Sequence, residues 1–128
     1  MIEVVCAIIL KDDKILITQR SEKMKLPLKW EFPGGKINKG ESEEEAIIRE
    51  IKEELSIKII PLKKISYNIH DYGSFKIRLT AYLCDYIAGE IELLEHKDFR
   101  LVAFEDLNEY DIADADIPFI ENLKTLIS

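Results

Sequence analysis

Residues 33–57 read PGGKINKGESEEEAIIREIKEELSI. Ser42 followed three residues later by Glu45 is the signature of a capping box, so a helix runs over Ser42 to Leu55. Ile47, Ile48, Ile51 and Leu55 recur at helical spacing and mark its apolar side. Side chains three and four apart share a face, which gathers Glu50, Glu53 and Glu54 into one patch on a different side. Three carboxylates so close repel, and burying one unpaired is costly. A hard divalent cation such as Mg²⁺, which prefers oxygen ligands, removes that conflict. The same residues also admit a plainer account. Glutamate is a good helix former, and Glu45 with Arg49, or Arg49 with Glu53, can pair at i,i+4 on a solvated surface.

Upstream, Ile2–Leu10 and Lys14–Arg20 are β-rich runs joined at Asp12-Asp13, a hairpin pattern. Ser21–Leu28 reads as a loop, and Trp30–Phe32 as a short strand entering the Pro33-Gly34-Gly35 turn. Downstream, Ile57–Ile69 and Ser74–Tyr86 read as paired strands around His70-Asp71-Tyr72-Gly73. Arg100–Phe104 is a further short strand, followed by a short helix over Glu105–Tyr110. Asp116-Ile117-Pro118 opens a terminal helix, with aspartate at the cap, proline in the first turn, and Ile120, Leu123 and Ile127 as its apolar stripe. This order packs as an α/β (α+β) arrangement, a mixed sheet with helices on both sides.

The 128 residues carry no repeat, low-complexity tract or linker, so residues 1–128 are expected to form one domain large enough for a core without staples. Cys6 and Cys84 each sit in an apolar run and read as small core residues, with no disulfide framework or zinc spacing. A net charge of −7 argues against a nucleic-acid polymer, which is held through a basic surface. It leaves a nucleotide open, because a metal ion inverts the local field. Ile2–Leu10 is too short to span a bilayer and lacks a basic leader and cleavage site. No membrane role is expected, and the cytoplasm is the default location.

From Gly35 to Ile57 the chain runs Gly, five residues, Glu41, seven residues, Arg49-Glu50-Ile51, one residue, Glu53-Glu54, one residue, Ser56-Ile57. This resembles the Nudix box, G-x5-E-x7-R-E-U-x-E-E-x-G-U with U aliphatic, and departs from it only at Ser56, where the family has glycine. The flanking Trp30-Glu31-Phe32-Pro33-Gly34-Gly35-Lys36 resembles the MutT-type branch, which cleaves nucleoside triphosphates. The resemblance implies the Nudix fold, an αβα sandwich with a central mixed β-sheet. It implies a Mg²⁺-dependent pyrophosphohydrolase, with Mn²⁺ able to substitute, that converts a nucleoside triphosphate to the monophosphate and pyrophosphate in nucleotide-pool sanitation.

By the same resemblance the metal ligands are Glu50, Glu53, Glu54 and the backbone carbonyl of Gly34, with Glu95 lent from a late loop. Glu53 or Glu54 helps to activate water, and which of them is the base stays open. Glu41 and Arg49 hold the ligands in orientation, as an arginine fork does with carboxylates. Arg20 ends its strand where MutT-type enzymes place a phosphate-contacting arginine, the other reading being a solvated strand end. Lys36 is a further phosphate candidate. Val4, Phe32, Ile77 and Leu79 read either as apolar walls for a base or as core. His70 and His96 sit at no box position and receive no role.

Ala115-Asp116-Ile117-Pro118 falls where MutT-type enzymes read the base, and it resembles the cytidine-nucleotide branch more than the oxidised-guanine branch. An ionised aspartate only accepts hydrogen bonds. It would favour a donor-bearing edge, cytosine or guanine, over thymine and uracil, unless Asp116 merely caps the last helix. Two alternatives remain beside this reading: a Nudix hydrolase of another nucleoside diphosphate derivative, and a non-catalytic nucleotide-sensing domain. Monomer and homodimer are both compatible with the sequence.

Overall fold

A computed structural model describes residues 1–127, and for Ile127 the backbone alone. Its strands are β1 (Ile2–Lys11), β2 (Lys14–Gln19), β3 (Trp30–Glu31), β4 (Gly34–Lys36), β5 (Lys58–Asp71), β6 (Lys76–Ala88) and β7 (Asp98–Val102). Helix α1 spans Glu43–Leu55 and α2 spans Ile117–Ile127, with 3₁₀ turns at Phe104–Glu109 and Asp114–Asp116. The strands form one sheet in the order β3-β2-β1-β6-β5, with β4 added to β1 and β7 to β2. β1 and β6 run parallel and the other pairs antiparallel. The sheet is therefore mixed, as expected.

Alternation along β1 divides the core into two layers. Val5, Ala7 and Ile9 pack with Ala46, Ile47, Ile51 and Leu55 of α1. Cys6 and Ile8 pack on the opposite side with Leu107, Phe119 and Leu123. The result is the αβα sandwich. Cys84 lies in the α1 layer, so the two cysteines are free, buried and on different layers.

Several elements differ from the sequence reading. Gly34–Lys36 is a strand, not a turn: it has no side-chain alternation to announce it, yet it pairs with Val4–Cys6. A Cβ at Gly34 would lie 2.0 Å from the Val5 carbonyl oxygen, so only glycine permits this approach. The short strand before it stops at Glu31. β5 and β6 both begin and end later than expected, and β5 accommodates Pro61 through a register shift between Pro61 and Lys63. β7 begins two residues earlier than Arg100, because its pairing with β2 is set from Asp98 opposite Gln19.

The capping box of α1 forms in both halves: Ser42 Oγ accepts from the Glu45 amide at 3.1 Å, and Glu45 Oε1 accepts from the Ser42 amide at 2.9 Å. That occupies Glu45, so Arg49 pairs forward with Glu53 instead. Ile48 does not belong to the apolar side; it is 40% exposed, and Ala46 lies in the buried layer instead. In α2 the fully buried anchor is Phe119, which the expected stripe omitted, alongside buried Leu123 and half-buried Ile120. The side chain of Ile127 lies outside the described residues. No helix among the described residues is long and apolar enough to cross a membrane.

Ser56 closes α1 in the left-handed region, at φ 59° and ψ 26°, donating its N–H to the Lys52 carbonyl at 3.0 Å. The serine thus adopts the conformation that favours glycine, at a steric cost that glycine escapes. Ser56→Gly is expected to raise stability by about 0.5–1 kcal/mol, net of the extra freedom of glycine in the unfolded chain. Denaturant unfolding checks this. An unchanged or lower midpoint would mean that the Ser56 side chain contributes more than its strain.

Candidate active site

Helix α1 lies against β4, and the box residues meet at that contact. A Cβ on Gly35 would lie 2.4 Å from the Glu50 carboxyl carbon, so the bare backbone of Gly35 is what seats Glu50. In an antiparallel ladder, hydrogen-bonded and non-bonded pairs alternate. The bonds from Ala7 N to Pro33 O and from Ile37 N to Glu3 O set the phase. Gly34, opposite Cys6, therefore turns its own amide and carbonyl away from β1. The carbonyl of Lys36 is in the same phase and accepts from Arg49 Nη2 at 3.0 Å.

Arg49 organises the carboxylates. It grips Glu41 with Nε at 2.6 Å and Nη2 at 2.9 Å. Its Nη1 reaches Glu50 at 3.0 Å and Glu53 at 3.2 Å. The fork raises the arginine pKa further and, with the Asn38 amide, holds the Glu41 carboxyl below the usual carboxylate range. Glu53 is the outward member, its side chain 60% exposed, and does not line the cavity described below.

Glu54 is buried, and its Oε1 has no hydrogen-bond partner among the described residues. Burial, followed by the charges of Glu31, Glu50 and Glu95, pushes its pKa up to about 9, against the pull of the Gly34 amide. Burial also raises the Glu50 pKa, while Arg49 opposes the rise. As the side chains stand, no three His, Cys, Asp or Glu among the described residues close into a ready-made metal cluster. Arg49 keeps Glu50 and Glu53 engaged.

Glu50 and Glu54 open onto a cavity of about 800 Å³. Glu31, Glu50, Glu54 and Glu95 form its acidic wall, and Val4, Phe32, Ile77 and Leu79 line it as well as belonging to or packing on the core. Both readings of those apolar residues therefore hold at once. Arg20 and Lys36 also border the cavity, Lys36 with an exposed side chain. Arg20 is not a free strand end: Nη1 is bound to Glu31 Oε1 at 2.8 Å and Nε donates to the Lys25 carbonyl. Tyr72, at the β5–β6 hairpin, reaches the same cavity, while His70 stacks edge-on against it and lies outside the lining.

Asp116 departs from both sequence readings of it. Its side chain does not cap α2; Oδ2 instead accepts the Phe32 amide at 2.8 Å, tying the final turn to the entry of β4. Nor is it an ordinary ionised acceptor. Complete burial, then the charge of Glu31, raises its pKa to about 8, with the Phe32 amide and Arg20 pulling the other way. At neutral pH the carboxyl keeps its proton and offers a donor as well as an acceptor. Excluding carbonyl-bearing base edges on hydrogen-bond polarity no longer follows.

The same shift has a stability consequence. Between the ordinary value of 3.8 and about 8, the folded chain holds a proton that the unfolded chain has lost. Stability from this group is therefore full below the lower value and falls as pH rises through the upper one, by up to about 1.4 kcal/mol per pH unit. Asp116→Asn, which keeps an acceptor for Phe32, removes that slope. Unfolding of the two proteins at pH 5 and pH 8.5 should show the variant gaining relative stability at the higher pH. Parallel curves would show that Asp116 is ionised in the native state.

Two residues at the site were given no role in the sequence reading, and for His96 the structure corrects that reading. Glu31 sits between the apolar residues Trp30 and Phe32, a charge that such a place rarely carries without a partner. Nothing local marks His96. It is buried in the late loop, with Nε2 at 2.8 Å from Glu31 Oε2 and Nδ1 at 3.9 Å from Glu54 Oε2. The neighbouring Glu95 is exposed and faces the cavity from the same loop.

The sequence profile described as NUDIX domain matches residues 2–123, and the chain belongs to that family of hydrolases. It is 35% identical over 126 residues to the CTP pyrophosphohydrolase of Escherichia coli (strain K12), covering 98% of this chain and 93% of that protein. It is 32% identical over 116 residues to the 8-oxo-dGTP diphosphatase of the same strain, covering 91% of this chain and 90% of that protein. The solution structure of the E. coli ORF135 protein superposes with a TM-score of 0.88 at 35% identity, over 98% of this chain and 90% of that one. Nudix hydrolases of this kind act with divalent metal ions, and their substrates are nucleotides.

Proposed function

We propose that the chain is a Mg²⁺-dependent nucleoside triphosphate pyrophosphohydrolase that releases the nucleoside monophosphate and pyrophosphate. Cytidine-type or oxidised guanine nucleotides are the substrates, in sanitation of the nucleotide pool. The observation that carries this reading is Glu54: a buried carboxyl with an unpartnered oxygen, in an acidic wall facing one apolar cavity. A group so placed is costly unless a cation meets it. Oxygen donors of this number and type fit a hard divalent ion.

In this reading Glu50, Glu53, Glu54, the Gly34 carbonyl and Glu95 hold the metal, and Mn²⁺ substitutes for Mg²⁺. The ion would supply charge neutralisation on the phosphates and a lowered pKa for attacking water. Arg49, held itself by Glu41, keeps Glu50 and Glu53 in place. Arg20 and Lys36 meet the phosphate chain at the cavity edge. Either Glu53 or Glu54 takes the proton of the water that attacks phosphorus as the phosphoanhydride bond breaks. Val4, Phe32, Ile77 and Leu79 receive the base, and Asp116 reads its edge from beneath Phe32. With a net charge of −7 the protein acts on free nucleotides, without a nucleic-acid polymer or a membrane, in the cytoplasm, as a monomer or a homodimer.

The deciding experiment measures pyrophosphate release from CTP, dCTP, 8-oxo-dGTP, dTTP and a nucleoside diphosphate sugar, with and without Mg²⁺. Pyrophosphate released only with metal, and fastest from a cytidine or oxidised guanine nucleotide, is expected. Binding without turnover would identify a nucleotide sensor, and turnover of the diphosphate sugar alone would move the substrate class.

A further inference from the structure

We propose that Glu31 and His96 are positioning residues that lock the guanidinium of Arg20 against the phosphate chain, so that Arg20, Glu31 and His96 act as one unit. The inference rests on the reading of Arg20 as a phosphate contact. Glu31 projects from β3 and divides its two oxygens: Oε1 accepts from Arg20 Nη1 at 2.8 Å, and Oε2 faces His96 Nε2 at 2.8 Å. A carboxylate only accepts, so the imidazole donates through Nε2. The His96 side chain is fully buried and those of Glu31 and Arg20 are 16% and 21% exposed, so solvent has limited access to both bonds.

Three separate segments converge to build this chain of contacts. Arg20 follows the last residue of β2 and closes the loop behind it, with its amide bonded to the Lys29 carbonyl and its carbonyl to the Leu28 amide. Glu31 is paired across the ladder with Thr18, two residues before Arg20. The loop carrying His96 is tied to the same place, where Lys97 N donates to Gln19 O at 2.9 Å. Backbone bonds therefore fix all three side chains relative to each other. The Nε of Arg20 is spent on the Lys25 carbonyl and Nη1 on Glu31, while Nη2 makes no hydrogen bond among the described residues and the side chain borders the cavity. The arginine is held on two edges, with one edge left for a ligand.

Geometry explains why His96 is needed. With Oε1 bonded to Arg20 and Oε2 to His96, Glu31 is held in one orientation. Without His96, the oxygen on the Glu54 side is free to swing, and the hold on Arg20 goes with it. A preset arginine saves the cost of orienting a long side chain when phosphate arrives.

The test is a double-mutant cycle on kcat/KM for the preferred triphosphate, with unfolding curves run on every protein. Glu31→Ala and His96→Leu are each expected to lose on the order of 10- to 100-fold. Glu31→Gln, which still accepts from Arg20, and His96→Gln, whose amide still donates to Glu31, should recover most of that loss. In an Arg20→Ala background, Glu31→Ala should cost less than about threefold more, because the arginine it positions is gone. A merely structural role would lower kcat/KM by the same factor in both backgrounds. Multiplicative losses with an impaired Arg20→Ala would overturn the proposed unit and leave Arg20 as a phosphate contact. Wild-type kcat/KM for Arg20→Ala would overturn the phosphate reading, and the unit with it.

Discussion

Glu54→Gln is expected to lose about 4 kcal/mol of transition-state stabilisation, on the order of a 10³-fold drop in kcat, while the protein stays folded. The two halves of this result have separate causes. In the metal-free protein the Glu54 carboxyl is raised to about 9 and is protonated at neutral pH, so a neutral amide reproduces its shape and charge. The melting temperature without metal should stay level or rise. With metal the carboxylate is required as an anionic ligand, and the amide is a poorer one. Millimolar Mg²⁺ or Mn²⁺ should therefore raise the melting temperature of the wild type, by mass action on the folded form alone, and much less that of the variant. Turnover within a few-fold of wild type at saturating Mg²⁺ would sink the metal-site reading. A collapsed melting temperature without metal would instead show that Glu54 is chiefly structural.

Arg49→Lys is expected to be nearly as damaging, although charge is conserved. Arg49 makes contacts in several directions at once: two to Glu41, one each to Glu50 and Glu53, and one to the Lys36 carbonyl. A lysine ammonium is a point donor and cannot span that fork. Glu50 and Glu53 would lose their common anchor, and β4 its side-chain tie to α1. Loss of an orienting partner behind metal-binding groups typically costs 10- to 100-fold in affinity or rate. The metal concentration for half-maximal rate should rise along with the loss of kcat. A lysine variant with wild-type metal dependence would show that Glu41 and the helix alone orient the ligands.

The sequence by itself determined much of what depends on local spacing. The capping box set the start of α1, and its period placed Glu50, Glu53 and Glu54 on one side. That period also put Arg49 within reach of Glu53, and the apolar runs of β1 and β6 marked buried strands. Local rules suffice there because each partner lies within a turn or a pleat of the other. What depends on chain packing was not legible. Gly34–Lys36 carried no sign that it would be a strand.

Only the tertiary structure separated three similar glutamates into an exposed one, a half-buried one and a buried one with an unpartnered oxygen. The same holds for Asp116, whose partner Phe32 is 84 residues away. Glu31 and His96 meet across 65 residues, a separation no periodicity can report. The physical reason is the same in each case. A carboxyl's protonation and a donor's partner are set by burial and by neighbouring charges, and those neighbours come from β2, β3, α1 and the late loop only once the sheet has closed.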